Sequence, residues 1–185
     1  PVNLEAPLIG MISRLVKQKG FDLLIEVFGD IVNLGAQVVI LGTGDEYYHR
    51  VFSALASKYP QATSLNLRFD NRLANLIYAG SDMFLMPSQY EPCGLGQLIS
   101  LRYGTIPIVR LTGGLADTVR EFEPQTGEGL GFTFEQYLSV ALFTAVKKAI
   151  EVFKDKGSWR KLMTNAMKAD FSWQRSARQY IDLYR

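Results

Sequence analysis

Short apolar runs alternate with stretches of helical apolar spacing along almost the whole chain, and this alternation limits the fold more than any other feature. The runs are Leu8–Ile12, Gln37–Leu41, 64–69, Met83–Met86, 106–109 and 131–134. The first and fourth contain no polar residue, as expected of strands buried on both faces. The third alternates, as expected of a strand with one face exposed. Between the first two runs Gly20 opens a helix in which Leu23, Leu24, Val27, Phe28 and Ile31 form one stripe, ended at Gly35. Gly42-Thr-Gly-Asp45 opens a second helix to about Tyr59, with Asp45 as its cap. Asp70 is placed to cap a third helix reaching Gly80. A fourth, 95–103, closes on Gly104, and a short one follows Thr112. Residues 121–131 read as a surface loop, followed by helical stretches at 137–153, 159–168 and 173–184. Strands alternating with helices predict a parallel sheet covered on both faces, a doubly wound, Rossmann-like α/β fold.

Bulk properties narrow the function. The 185 residues suffice for one domain with a real core. A net charge of +2 without a long basic block argues against nucleic acid as a partner. No apolar run approaches the roughly 20 residues needed to span a bilayer. One cysteine and one histidine argue against a disulfide framework and against a zinc site, and fit a reducing compartment. The opening Pro1-Val-Asn-Leu-Glu shows no signal-peptide pattern and reads as a piece of a longer protein.

Doubly wound folds bind ligands outside the carboxyl ends of their strands. The unusual loops of this chain all fall there. Arg14 and Lys19 follow the first strand as two fixed cations, the complement a diphosphate needs. Ser88-Gln-Tyr-Glu-Pro-Cys-Gly-Leu-Gly-Gln-Leu98 follows the fourth. Its Gly94, Leu95 and Gly96 stand at a helix start, where free N–H groups suit a phosphate. Glu91 on the same turn would repel a phosphate but can bond hydroxyls, so the pairing points to a nucleotide sugar. From spacing alone, the stretch is equally an ordinary βα loop with a solvated Glu. Gly42-Thr-Gly44 is half a dinucleotide fingerprint and is explained as well by a tight turn. Phe69, at a strand exit, is either core or a platform for a base, with core the commoner case. Thr112-Gly113-Gly114 is a second anion nest or simply a turn. Cys93 has no histidine partner on the rim and reads as a small wall of the pocket, not a nucleophile. Lys17 and His49 read as surface residues.

Six motifs in order resemble the bacterial-type glycogen synthases and plant starch synthases. They begin at Ser13-Arg-Leu-Val-Lys-Gln-Lys-Gly-Phe-Asp22, Leu41-Gly-Thr-Gly-Asp45, Ser88, Arg102-Tyr-Gly-Thr-Ile-Pro-Ile-Val109, Thr112-Gly-Gly-Leu-Ala-Asp-Thr-Val119 and Asp170-Phe-Ser-Trp173. The resemblance implies the C-terminal half of a two-domain GT-B glycosyltransferase. That family transfers glucose from ADP-glucose, in some members UDP-glucose, with retention to the non-reducing end of an α-1,4-glucan, and its active site needs no metal or cofactor. It implies that Arg14 and Lys19 hold the donor diphosphate, that Glu91 lies at the donor sugar, and that Phe69 stacks on the base. Gly44, Tyr90, Cys93, Gly94, Leu95, Gly96, Thr112, Gly113 and Gly114 are implied to line the donor site. The family usually has Thr in place of Gly96, so a hydroxyl near the phosphates is missing. Many relatives carry a second Glu eight positions after the first; Ile99 stands there, so no ribose carboxylate is assigned. The resemblance divides the chain into a donor domain, 1–171, and a helix, 172–185, that crosses toward an N-terminal domain lying outside this sequence. It implies a bacterial cytoplasmic protein, or alternatively a plastid one. The two competing readings are another retaining GT-B enzyme that uses UDP-glucose, and a non-catalytic nucleotide-binding module.

Overall fold

In the computed structural model, which describes residues 3 and 5–184, six strands form one sheet in the order β3-β2-β1-β4-β5-β6, every neighbouring pair parallel. The strands are β1 (Leu8–Ile12), β2 (Gln37–Leu41), β3 (Thr63–Asn66), β4 (Met83–Met86), β5 (Ile106–Arg110) and β6 (Phe132–Phe134). The helices are α1 (Phe21–Asn33), α2 (Glu46–Lys58), α3 (Asn71–Gly80), α4 (Gly96–Tyr103), α5 (Gly114–Thr118), α6 (Ser139–Lys154), α7 (Lys156–Lys168) and α8 (Trp173–Leu183). A 3-10 turn, Lys17–Lys19, precedes α1. This is the doubly wound Rossmann-like arrangement. Its strand order reverses between β1 and β4, and such a reversal opens a crevice at the carboxyl ends.

The all-apolar runs become the middle of the sheet because both of its faces are covered. Ile9, Met11, Met83, Phe84, Leu85, Ile106, Ile108 and Val109 are all buried. The stripe on α1 (Phe21, Leu24, Phe28, Ile31) packs with α6 on one face, and α3 and α4 pack together on the other. Transferring this much apolar surface from water is the main favourable term, at about 25 cal/mol per Å².

Three local expectations need correction. The third strand ends at Asn66, not Phe69, because its partner runs out: Leu41 pairs with Asn66 as the last rung. Leu67, Arg68 and Phe69 then lie exposed, so the alternation that suggested a strand continues into a loop. Asp45 occupies the N-cap position of α2 but makes no side-chain cap bond. The seventh helix begins at Lys156, ahead of Trp159, with Asp155 accepting from the Gly157 N–H. The other punctuation is as expected. Asp70 accepts from the Leu73 N–H at 2.9 Å and caps α3, and Gly104 ends α4 in the left-handed conformation.

The last helix, α8, buries none of its residues. Trp173 is 85% exposed, and Tyr180, Ile181 and Tyr184 lie on the same stripe, also exposed. Pro1, Val2, Leu4 and Arg185, at the outer bounds of the two expected segments, lie outside the described residues.

Candidate functional site

Two adjoining cavities open at the carboxyl rim. The first, of about 240 Å³, lies where β1 and β4 diverge. It brings together Arg14, Lys19, Glu91, Gly94, Leu95 and Gly96, with Ser13, Pro87 and Ser88 beside them. The second, of about 250 Å³, lies between the exits of β1, β2 and β3 and is lined by Gly42, Thr43, Arg68, Phe69, Asp70 and Asn71. Arg14 lines both, so it stands at their junction.

Backbone contacts explain why residues so distant in sequence meet. Gly20 has φ +74°, and a Cβ there would sit 1.9 Å from the Pro87 carbonyl oxygen. Only glycine permits that approach. It seats the turn Lys17–Lys19 directly on the exit of β4. The Gln89 N–H donates to the Gln18 carbonyl at 2.9 Å, and Gln18 Nε2 donates to the Tyr90 carbonyl at 3.1 Å. The two loops are thus joined edge to edge. Lys19 Nζ consequently lies 2.5 Å from Glu91 Oε2, and Ser88 Oγ donates to the same oxygen at 3.1 Å. Glu91 is 8% exposed. A charge so placed needs partners, and Lys19 and Ser88 supply them. Arg14 differs: it is exposed and enters no ion pair among the described residues.

Phe69 is 84% exposed and lines the second cavity, which decides against the core reading. The remaining expected residues do not line either cavity. Tyr90 and Cys93 are exposed, and their carbonyls are held by Gln18 and by Gln97 Nε2 (3.2 Å). Cys93 lines neither cavity and so is not the expected small wall of the pocket. In the Thr112–Gly114 turn two amides are occupied: Gly114 N–H donates to the Glu91 carbonyl at 3.0 Å, and Leu115 N–H to the Thr112 carbonyl at 3.1 Å. This turn supports the Glu91–Cys93 loop from behind. Gly44 N–H donates to His49 Nε2 at 3.1 Å, so His49 is not the idle surface residue expected.

Arg110 went unnoticed in the sequence. Its guanidinium donates to three carbonyls, Ser88 (3.0 Å), Gln89 (2.5 Å) and Glu135 (2.9 Å). It also lies 5.4 Å over the Tyr137 ring, whose hydroxyl donates to Asp22 Oδ1 at 2.6 Å. Burial, followed by the Asp22 bond and charge, holds the Tyr137 hydroxyl well above the ordinary tyrosine range, so it stays a proton donor. The sequence signal was a cation at the carboxyl end of an otherwise apolar strand. Among the described residues, no three His, Cys, Asp or Glu side chains converge as a metal site would require.

A parallel sheet with a crevice at its β1/β4 reversal, rimmed by two cations and a carboxylate, is the architecture of the nucleotide-binding half of a GT-B glycosyltransferase. The chain belongs to the glycosyl transferases group 1 family, which matches residues 1–168. It is 55% identical over 186 residues to a glycogen synthase of Thermotoga petrophila, and 56% over 182 residues to one of Kosmotoga olearia. These alignments cover 100% and 98% of this chain but 38% of each relative, so the chain spans well under half the length of the curated relatives it matches. Its fold superposes on the catalytic domain of starch synthase IV from Arabidopsis thaliana, bound to ADP and acarbose, with a TM-score of 0.89 and 39% identity, over 98% of this chain and 38% of that one. A sucrose-phosphate synthase from Thermosynechococcus elongatus shares the fold at a TM-score of 0.75 and 24% identity, covering 100% of this chain and 46% of its own.

Proposed function

We propose that this chain is the donor-binding half of a glycogen or starch synthase that transfers glucose from ADP-glucose, with retention, to the non-reducing end of an α-1,4-glucan. The observation that carries this reading is the meeting of Arg14, Lys19 and Glu91 in one cleft beside the start of α4. The starch synthase bound to ADP and acarbose, and the glycogen synthase relatives, support both the nucleotide and the glucan.

The adenine stacks on Phe69 in the second cavity, and the diphosphate lies at Arg14, where the cavities join. The glucosyl group then occupies the first cavity against Glu91. Charge builds on the diphosphate as the glycosidic bond to it breaks. Arg14 and Lys19 oppose that charge with preorganised cations, the kind of electrostatic stabilisation that contributes most to many transfer reactions. Glu91 accepts from sugar hydroxyls and fixes the ring. The amides of Gly94, Leu95 and Gly96 add backbone donors. With Gly96 in place of the family's usual Thr, no hydroxyl assists there. Tyr90, Cys93 and the Thr112–Gly114 turn shape the loop that carries Glu91, and Gly44 shapes the turn beside the base.

Residues 1–171 form the donor domain, and the exposed stripe of α8 within 172–185 packs against the remainder of the enzyme. The acceptor site lies in that remainder, so the chain alone binds nucleotide without extending a glucan. A bacterial cytoplasm is the setting, with a plastid as the alternative. Among the described residues no helix is long and apolar enough to cross a membrane.

The test is a radiolabel assay of glucose transfer from ADP-glucose to glycogen by the longer protein, with and without Glu91→Ala. Incorporation that disappears in the variant supports the reading. Full activity in the variant, or transfer from UDP-glucose alone, contradicts it.

A further inference from the structure

The turn Gly42-Thr43-Gly44 has a side-chain partner that the reading above leaves unused. The Gly44 N–H donates to His49 Nε2 at 3.1 Å, and Thr43 Oγ1 lies 3.3 Å from the same nitrogen. A main-chain N–H can only donate, so Nε2 carries no proton and the ring proton sits on Nδ1. The Thr43 hydroxyl is then a donor too. Asp45 makes no side-chain cap bond, so among the described residues His49 is the side chain that bonds this turn.

The turn is joined to the loop that carries Arg14. Ser13 N–H donates to the Leu41 carbonyl (3.1 Å), Leu15 N–H to the Thr43 carbonyl (3.0 Å), and Asp45 N–H to the Leu15 carbonyl (2.8 Å). Both neighbours of Arg14 are held in this way. A Cβ on Gly42 would lie 1.9 Å from the Ser13 carbonyl oxygen, so the two loops touch backbone to backbone. A shift of one moves the other. Thr43 itself lines the Phe69 cavity.

We infer that His49 is a positioning residue of the donor site: its unprotonated Nε2 fixes the Gly42–Gly44 turn, and through that turn both the base cavity and Arg14. It lines neither cavity. The inference rests on the donor-site reading given above.

His49 is the single histidine of the chain, so its ring nitrogens give unambiguous ¹⁵N signals. In the neutral ring the Nδ1–H tautomer is expected, because the Gly44 N–H donates to Nε2. Calorimetric titration with ADP then compares the wild-type chain with His49→Gln, whose side-chain oxygen still accepts, and His49→Leu, which cannot. His49→Leu is expected to bind ADP about tenfold more weakly, the size of one lost hydrogen bond, and His49→Gln within about threefold of wild type. A merely structural role would instead lower both melting temperatures and leave ADP affinity alone. An Nε2–H tautomer, equal affinities in all three proteins, or equal losses in both variants overturns the inference. A wild-type chain that binds neither ADP nor UDP overturns the donor-site reading itself, and the role of His49 falls with it.

Discussion

Lys19 Nζ and Glu91 Oε2 lie 2.5 Å apart, although 72 positions separate the two residues. The pair exists because Gly20 lets one loop rest on the Pro87 carbonyl of the other. It fixes a cation and a carboxylate, each on a loop, relative to the same rigid sheet. Lys19 has three N–H donors and gives one to Glu91, which leaves two for a phosphate.

Glu91→Gln separates charge from shape. The amide oxygen can still accept from Ser88 Oγ, so melting temperature should fall by only a few degrees. Glucose transfer by the longer protein should fall at least about 100-fold, as when one preorganised electrostatic group is removed. Steady-state kinetics beside a thermal melt decide it. Transfer within about tenfold of wild type would remove Glu91 from the chemistry.

Phe69→Ala acts on binding alone. The ring is 84% exposed, so its removal should leave the melting temperature unchanged. Base–aromatic stacking contributes about 1–3 kcal/mol, so nucleotide affinity should drop about tenfold or more. Calorimetry with ADP reads the loss, and unchanged affinity would place the base elsewhere.

Arg110→Lys keeps the charge but not the fork. A lysine amine cannot bond the Ser88, Gln89 and Glu135 carbonyls together in the guanidinium's geometry. The Ser88–Glu91 loop should loosen, with about tenfold lower kcat and faster amide exchange at the hydrogen-bonded Gln89 N–H. Wild-type kcat and exchange would show that the loop holds itself.

Asp82 gives a pH dependence. Burial raises its carboxyl above the ordinary value of 3.8, against the opposing pull of the Leu8 N–H and Lys156. A raised carboxyl destabilises the folded state once pH exceeds the unfolded value, and the penalty grows until pH passes the folded value. Asp82→Asn, which can still accept from the Leu8 N–H, should therefore melt higher than wild type at about pH 7. The gain should vanish at about pH 3, where both side chains are neutral. A variant that melts lower at neutral pH would mean that the charged form is preferred in the fold.

The sheet was legible because the interiors of β1, β4 and β5 are buried on both faces and so read as short apolar runs. Arg14, Lys19 and Glu91 were legible because a doubly wound fold sends every strand exit to one rim. Phe69 was less so, because an exposed aromatic continues the alternation of a strand whose partner has ended. His49 and Arg110 were hardest to read, since most of their hydrogen-bond partners are main-chain atoms that no residue pattern encodes; for Arg110 the one cue is a cation ending an otherwise apolar strand. Asp45 misled for a related reason: it has the right type at the right place, yet His49 bonds the turn instead.

The most direct test of the donor site is calorimetric titration of this chain with ADP and, separately, UDP, repeated on Lys19→Ala. Tighter binding of ADP than of UDP, weakened by the substitution, is the predicted result. Equal binding of ADP by wild type and Lys19→Ala would contradict a diphosphate held at Lys19, and preference for UDP would contradict ADP-glucose as the donor.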